Sequence, residues 1–239
     1  MCGTFQERLD RVKKRMEEAC ARAGRPLEDV RLVAVSKTMG PDQVREAVDC
    51  GLRLFGENKV QEAQAKIPRC PGQLVWHMIG HLQRNKAALA VELFDMIHSV
   101  DSLKLLTAID RLAAEAGKRM PVLLEVNVSG EGSKYGLQPS AVPDLLREGN
   151  NLQCVTILGL MTMPPFTEDP EKARPHFRRL RELRDEWSSS LNLPLPELSM
   201  GMTHDFEVAI EEGATYVRVG TALFGERSHA KEVSDELES

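Results

Sequence analysis

A chain of 239 residues is long enough for one sizeable hydrophobic core, and its formal net charge of −5 argues against binding nucleic acid through a general positive field. No run approaches the roughly 18 uninterrupted apolar residues of a membrane span, so no membrane contact is expected. Five widely spaced cysteines without a Cys-x-x-Cys pair, and an N-terminus without a continuous apolar stretch, predict a cytoplasmic protein with free thiols, while mitochondrial residence stays open.

The first predicted element is an amphipathic helix over residues 4–23. Thr4 followed by Glu7 is the signature of an N-terminal capping box. Apolar side chains then recur at the spacing of one helix face, at Phe5, Leu9, Val12, Met16, Ala19 and Ala23. We expect this helix to cover one end or side of the core.

Eight short apolar runs alternate with helical patterns along the rest of the chain. The runs are RLVAVSKT (31–38), RLFGEN (53–58), VWHMIG (75–80), MIHSVD (96–101), PVLLEVNVS (121–129), VTILGLMTM (155–163), LPELSMGM (195–202) and YVRVGTALFG (216–225). This alternation predicts buried parallel strands with right-handed helical crossovers. We therefore predict a single α/β domain over residues 1–239, a (β/α)8 TIM barrel at about 30–227 with a short polar C-terminal tail.

The first run ends in a lysine, Lys37. Active sites of such barrels lie at the C-terminal ends of the strands. Val33, Val35 and Lys37 are two residues apart, so their side chains share one face of the strand. If the two valines fill the barrel interior, Lys37 points into the upper barrel. Desolvation favours a neutral amine, which Schiff-base chemistry requires. From the residues alone, a strand-end lysine that extends into solvent is the more common case.

Two glycine turns near the end of the chain suggest a phosphate site. Ser199, Gly201 and Thr203 lie in LSMGMTHDFEVAI, just before a helix predicted to begin near His204, and Gly220-Thr221 lies within the eighth run, after its predicted strand. Glycine permits close backbone approach, and free N–H groups at a helix start attract phosphate. Phosphate sites of barrels often follow strands seven and eight. An ordinary glycine turn with Thr203 as helix cap explains the first segment equally well.

His77 and His81 stand four residues apart, which raises the question of a metal site. They flank a predicted strand end instead of sharing one helix face, and no third ligand stands near them in the sequence. A zinc site needs at least three protein ligands in a compact arrangement. We therefore predict no metal.

Eight blocks between about residues 30 and 227 form a specific pattern. They are RLVAVSKT, FGENKVQE, WHMIGHLQRNK, HSVDS, NVSGEGSKYGL, GLMTMPP, LSMGMTHDFEVAI and VRVGTALFGER. In order and spacing these blocks resemble the YggS/PROSC family, the pyridoxal phosphate homeostasis proteins. The resemblance implies a barrel like the N-terminal domain of alanine racemase.

The resemblance also implies a set of cofactor-binding residues. Lys37 is the position that would carry pyridoxal 5′-phosphate (PLP) as a covalent aldimine. Asn58 matches the asparagine beside the cofactor ring, and Arg218 matches the arginine near the pyridine nitrogen, which it would keep unprotonated. The implied phosphate-binding positions are Ser199, Gly201, Met202, Thr203, Gly220 and Thr221. Many members have serine where this chain has Thr203, and the hydroxyl is retained.

Three functions fit this pattern. The resemblance favours a monomeric, non-catalytic carrier or buffer that takes part in vitamin B6 homeostasis and passes PLP to apoenzymes. The alternative is a PLP-dependent racemase or decarboxylase, although the only tyrosines available as a second acid or base are Tyr135 and Tyr216. A third, disfavoured function is an enzyme acting on a sugar phosphate without cofactor, with Lys37 as base. A visible absorbance band would separate a loaded carrier from a bare barrel.

Overall fold

The computed structural model describes residues 4–130 and 135–225. Eight parallel strands close into a barrel in chain order, with each strand paired to its sequence neighbours and the last paired to the first. The strands are β1 (Arg31–Val35), β2 (Leu54–Glu57), β3 (Val75–Met78), β4 (Met96–Val100), β5 (Met120–Glu125), β6 (Val155–Met161), β7 (Glu197–Met202) and β8 (Tyr216–Val219). The predicted barrel is confirmed, and each of the eight apolar runs contains one strand.

Helices follow the strands on the outside of the barrel, after one helix that precedes it. The helices are α1 (Phe5–Arg22), α2 (Pro41–Asp49), α3 (Val60–Lys66), α4 (Ala87–Leu93), α5 (Leu103–Glu115), α6 (Val142–Gly149), α7 (Arg174–Leu191), α8 (Phe206–Glu211) and α9 (Thr221–Phe224). The predicted first helix is confirmed with its capping box, since the Thr4 and Glu7 side chains bond to each other's backbone N–H. The predicted C-terminal tail lies outside the described residues.

Side-chain alternation divides the core into two parts. A small apolar cluster fills the barrel interior and consists of Val33, Met96, Leu123, Met161 and Tyr216. The neighbouring strand residues, such as Ala34, Ile97 and Leu124, belong to a much larger cluster with the helices. Because successive side chains of a strand point to opposite faces, residues two positions beyond the interior cluster face the barrel mouth.

The last apolar run is longer than its strand. In YVRVGTALFG, β8 ends at Val219, just before the Gly220-Thr221 pair, and residues 221–224 form the short helix α9. Backbone N–H groups of Leu223 and Phe224 both donate to the Gly220 carbonyl, which turns the chain away from the barrel. Helix α1 packs on this turn, since Arg8 donates to the Leu223 carbonyl.

The helix after β7 also starts later than predicted. It begins at Phe206 with Asp205 at the cap position, two residues beyond His204. Of the helices within the described ranges, none has the length and apolar character needed to cross a membrane.

Candidate functional site

A polar layer lies directly above the apolar barrel interior. His98, Glu125 and Arg218 each stand two residues after a member of the interior cluster, and all three are buried. Barrel interiors are ordinarily filled by branched apolar side chains. Burying charged and polar groups is costly, so this layer marks the C-terminal end of the barrel as the functional end.

Lys37 lies at this end, in a turn that follows β1. The turn leaves Lys37 exposed, and its side chain forms no hydrogen bond or ion pair with the other described residues. Val33 belongs to the barrel interior as expected, but the chain leaves the strand after Val35, and Thr38 adopts a left-handed backbone with φ 65°. The amine therefore stands at the mouth with nothing within the described residues to occupy it.

The turn that carries Lys37 is anchored to a buried ionic cluster. The Ser36 hydroxyl donates to Glu57 Oε1 at 2.6 Å, and the Lys66 ammonium donates to the Ser36 carbonyl and to Glu57 Oε1, both at 2.7 Å. Glu62 accepts from Lys66 at 3.1 Å and from the Thr38 backbone N–H. Burial raises the pKa of the Glu57 carboxyl, and Lys66 opposes that rise. Residues on both sides of Lys37 are thus fixed by β2 and α3.

Asn58 follows β2 and is half-buried. Gly80, after β3, lies so close to the Asn58 backbone that an added Cβ would stand 2.3 Å from the Asn58 carbonyl oxygen. Any larger residue at position 80 would push the Asn58 segment away. The structure therefore holds Asn58 at the barrel end where Lys37 lies.

The two predicted glycine turns meet in space at one hydroxyl. Thr203 Oγ1 accepts from the Gly220 N–H at 3.3 Å and from the Ala222 N–H at 3.5 Å. These long bonds are weak and are readily exchanged for a better acceptor. Gly201 has φ 88° and its added Cβ would stand 2.5 Å from that of Ala209, so only glycine fits there. The predicted set of phosphate-binding residues did not include Ala222, because the short helix α9 was not predicted.

Two predicted phosphate ligands are already engaged elsewhere. The Met202 N–H donates to Asp205 Oδ1 at 2.7 Å. Ser199 is fully buried, and its hydroxyl accepts from Arg218 at 2.6 Å and bonds to His98 Nδ1 at 2.8 Å. The structure thus places Ser199 in the polar layer and not in the turn with Thr203, and a phosphate contact of either group stays a prediction.

Arg218 is buried in the upper barrel and held at two points. One guanidinium nitrogen donates to Ser199 and the other donates to the Thr162 carbonyl at 3.0 Å. Burial lowers the pKa of Arg218 to about 10, and the charges of Asp205 and Glu125 oppose that change. The guanidinium is therefore a fixed positive charge at neutral pH. Its inward direction agrees with the strand alternation that places Tyr216 in the interior cluster.

Glu125 is a functional candidate that sequence reasoning missed. It ends β5, is 3% exposed, and its Oε2 has no hydrogen-bond partner within residues 4–130 and 135–225. Burial raises its pKa to about 7, the charge of Asp101 adds to the rise, and Arg218 opposes it. The sequence contained one indication of this role. Glu125 is a charged residue in an otherwise apolar run, and it stands two positions after Leu123, whose side chain faces the barrel interior.

The high pKa of Glu125 makes stability depend on pH. The folded protein holds this proton up to a pH of about 7, whereas an unfolded chain releases it near 4.5. Stability therefore falls as pH rises through this window. Glutamine has no proton to release, so the free energy of unfolding of Glu125→Gln should not fall in this window. The difference in unfolding free energy between Glu125→Gln and the parent protein should therefore increase by about 3 kcal/mol in favour of the variant from pH 4 to pH 8. This value follows from about 1.4 kcal/mol for each unit of pKa difference. Urea unfolding at both pH values measures this, and equal differences at pH 4 and pH 8 would contradict it.

Tyr135 lies over the β3 end of the mouth. Its ring stacks on the His81 ring with centroids 3.7 Å apart, and His81 Nδ1 stands 3.2 Å from Asp101 Oδ2. Tyr135 is 59% exposed. In the described part of the chain, no three histidine, cysteine, aspartate or glutamate residues come together as a metal site.

Comparison with known proteins agrees with this geometry. The family model described as alanine racemase, N-terminal domain, matches residues 8–228. The pyridoxal phosphate homeostasis protein of Aquifex aeolicus is 49% identical over 93% of this chain and 98% of its own length. The human protein of the same name is 42% identical over 93% of this chain and 86% of its own length.

Solved structures show the same architecture. PipY of Synechococcus elongatus with PLP bound is 39% identical, covers 93% of this chain and 100% of its own, and superposes with a TM-score of 0.81. An alanine racemase of Clostridium difficile is only 13% identical, with a TM-score of 0.74 over 95% of this chain and 58% of its own, and shares the fold alone.

Proposed function

The chain belongs to the family of pyridoxal phosphate homeostasis proteins, and from this premise we propose that it holds PLP as a Schiff base on Lys37 and serves as a carrier or buffer in vitamin B6 homeostasis. The observation that carries the proposal is the match of nearly the whole chain to a homeostasis protein at 49% identity. The PLP-bound structure of PipY, with the same barrel, supports the cofactor.

The residues present fit PLP at the barrel mouth. The Lys37 amine has no competing partner among the described residues, so it is available to condense with the cofactor aldehyde and release water. The bonds from Ser36 and Thr38 to β2 and α3 hold the turn that presents it. The N–H groups of Gly220 and Ala222 meet at the Thr203 hydroxyl through long bonds, and we expect these three neighbouring groups to donate to the phosphate.

Arg218 supports a carrier over a catalyst. A guanidinium cannot accept a proton, so a pyridine nitrogen beside it stays unprotonated, and the cofactor is then a weak electron sink. Burial raises the pKa of Tyr216 to about 12, and its ring packs against His77 and His98, so it is no acid or base near neutral pH. We also expect a monomer in the cytoplasm that delivers PLP to apoenzymes.

The carrier function has a direct test. Purified protein loaded with PLP is mixed with a PLP-requiring apoenzyme, and the time course of activation is compared with that of an equal concentration of free PLP. A carrier should activate the apoenzyme while a trapping enzyme such as a PLP phosphatase removes free cofactor from solution. Loss of activation in the presence of the trap would contradict transfer and leave the protein as a buffer at most.

A second candidate function, a PLP-dependent enzyme, is favoured by one observation. Glu125 is a buried carboxyl with a pKa of about 7 in the polar layer, and such a group can act as a general acid or base. We nevertheless expect no efficient turnover. The test follows chirality and carbon dioxide release after loaded protein meets each common L-amino acid. Turnover of about 1 per second or more that Lys37→Ala abolishes would make the protein an enzyme.

A further inference from the structure

Four buried side chains form one continuous hydrogen-bonded row across the barrel. Arg218 bonds to Ser199 at 2.6 Å, Ser199 to His98 Nδ1 at 2.8 Å, and His98 Nε2 to His77 Nδ1 at 2.9 Å. Each of these residues is at most 4% exposed. The row connects β8, β7, β4 and β3, and neither histidine has a role in the proposed chemistry.

The chemistry of the donors fixes the direction of the whole row. A guanidinium has donors only, so the Ser199 oxygen must accept from Arg218. Ser199 is fully buried, and among the described residues its hydroxyl meets no acceptor other than His98, so it donates its own proton to His98 Nδ1. His98 consequently carries its proton on Nε2 and donates it to His77 Nδ1, which leaves the proton of neutral His77 on Nε2. One arginine therefore determines the tautomers of two histidines.

We infer that Ser199 and His98 are positioning residues that hold the Arg218 guanidinium in one orientation at the cofactor site, an inference that rests on the proposed function. Arg218 is fixed at two nitrogens, by Ser199 on one side and by the Thr162 carbonyl on the other. Ser199 can serve as a fixed acceptor only while His98 takes its proton. Without His98, the hydroxyl is free to rotate and the hold on Arg218 loosens.

The histidines are suited to this task because they stay neutral. Burial lowers the pKa of His77 to about 3, and the charge of Arg31 adds to this effect. Complete burial holds the pKa of His98 well below its ordinary value, and His77 and Arg218 lower it further. Protonation of His98 would place a donor against the Ser199 hydroxyl proton. The charged groups that act on the row are Arg31, Glu125, Asp205 and Arg218 itself.

The first test uses the protein without cofactor. Nitrogen-15 NMR of the imidazoles distinguishes the two neutral tautomers and detects protonation. We expect His77 and His98 to carry their protons on Nε2 and to show no titration between pH 5 and pH 8. A Nδ1 proton on His98, or a charged His98 at pH 6, would overturn the row and the inference with it.

The second test measures the cofactor. Ser199→Ala removes one oxygen, and Ser199→Thr restores it, with Ser190→Ala on the exposed face of α7 as the matched control. In the parent protein and the Ser190 control, the visible band of bound PLP should not change position between pH 5 and pH 8. In Ser199→Ala, and in His98→Leu, which leaves no acceptor for the Ser199 proton, the band should shift with pH, because a loosened Arg218 allows the pyridine nitrogen to take up a proton. PLP affinity should fall about tenfold, and Ser199→Thr should recover both properties.

The outcomes separate this inference from the function on which it rests. If the parent protein gives no visible band with PLP, the proposed function fails and the inference fails with it. If the parent binds PLP and both substitutions leave its band independent of pH, the function stands and the positioning role is wrong. A substitution that only loosens the fold would lower affinity without making the band depend on pH, which also counts against positioning.

Discussion

Replacing Lys37 with alanine should abolish the covalent attachment of PLP and lower its affinity at least about a hundredfold. The amine is the only group proposed to bond the aldehyde, and a hundredfold loss corresponds to about 2.7 kcal/mol. The turn around it should persist, because its anchors are Ser36 and Thr38, not Lys37. The visible band should vanish, and borohydride reduction followed by peptide mapping should no longer place the pyridoxyl mass on the peptide that contains residue 37.

The matched control for this substitution is Lys59→Ala. Lys59 is exposed and follows β2 at the same end of the barrel. Its removal should leave the band and the mapped peptide unchanged. A pyridoxyl mass on Lys59, or on Lys134 outside the described residues, would contradict the assignment of Lys37.

The second large effect concerns the phosphate. Pyridoxal, which lacks it, should bind at least about a hundredfold more weakly than PLP, since each charge-assisted hydrogen bond contributes about 1.5–3 kcal/mol. The N–H groups of Gly220 and Ala222 already converge on Thr203 Oγ1 through long bonds, so both donors can turn to an anion that lies beside this hydroxyl. Titration of both compounds, followed by the visible band, gives the ratio.

A threonine pair tests where the phosphate lies. Thr203→Val keeps the shape of the side chain but removes the hydroxyl, and it should reduce the preference for PLP over pyridoxal. Thr107→Val, on the exposed face of α5, is the control and should leave the preference unchanged. Equal affinities of the parent protein for PLP and pyridoxal would rule out this phosphate site.

Much of the fold was predictable because its signals are local. Eight short apolar runs, alternating with helical patterns, are a property of neighbouring residues and needed no knowledge of the tertiary structure. The errors were also local in origin. Residues 221–224 are apolar enough to continue β8, yet the turn at Gly220 and the packing of α1 against α9 make them a helix. Propensity alone does not decide between strand and helix for so short an apolar run.

The candidate site was predictable only in part. Lys37, Arg218 and the glycine turns could be singled out because their residue types are unusual at strand ends. Ser199 was assigned to the phosphate turn from its place beside Gly201 and Thr203 and from the family resemblance. The structure shows its hydroxyl bonded to His98 and Arg218, which the sequence did not indicate, and its phosphate contact stays a prediction. His98 and Glu125 were missed. A histidine or glutamate inside an apolar run cannot be assigned a functional role until its neighbours across the barrel are known.

The sequence by itself determined the alternation of strands and helices, and with it which residues stand at the strand ends. Only the tertiary structure decided which of those ends meet. Arg218 reaches His77 through Ser199 and His98 because closure of the barrel brings β8, β7, β4 and β3 around one interior. Lys66 fixes the Lys37 turn because α3 packs against β2, which is paired with β1, and the Lys66 ammonium therefore reaches the Ser36 carbonyl. The physical reason is that hydrogen bonds and ion pairs act over a few ångströms in space, whereas sequence patterns report only on residues a few positions apart.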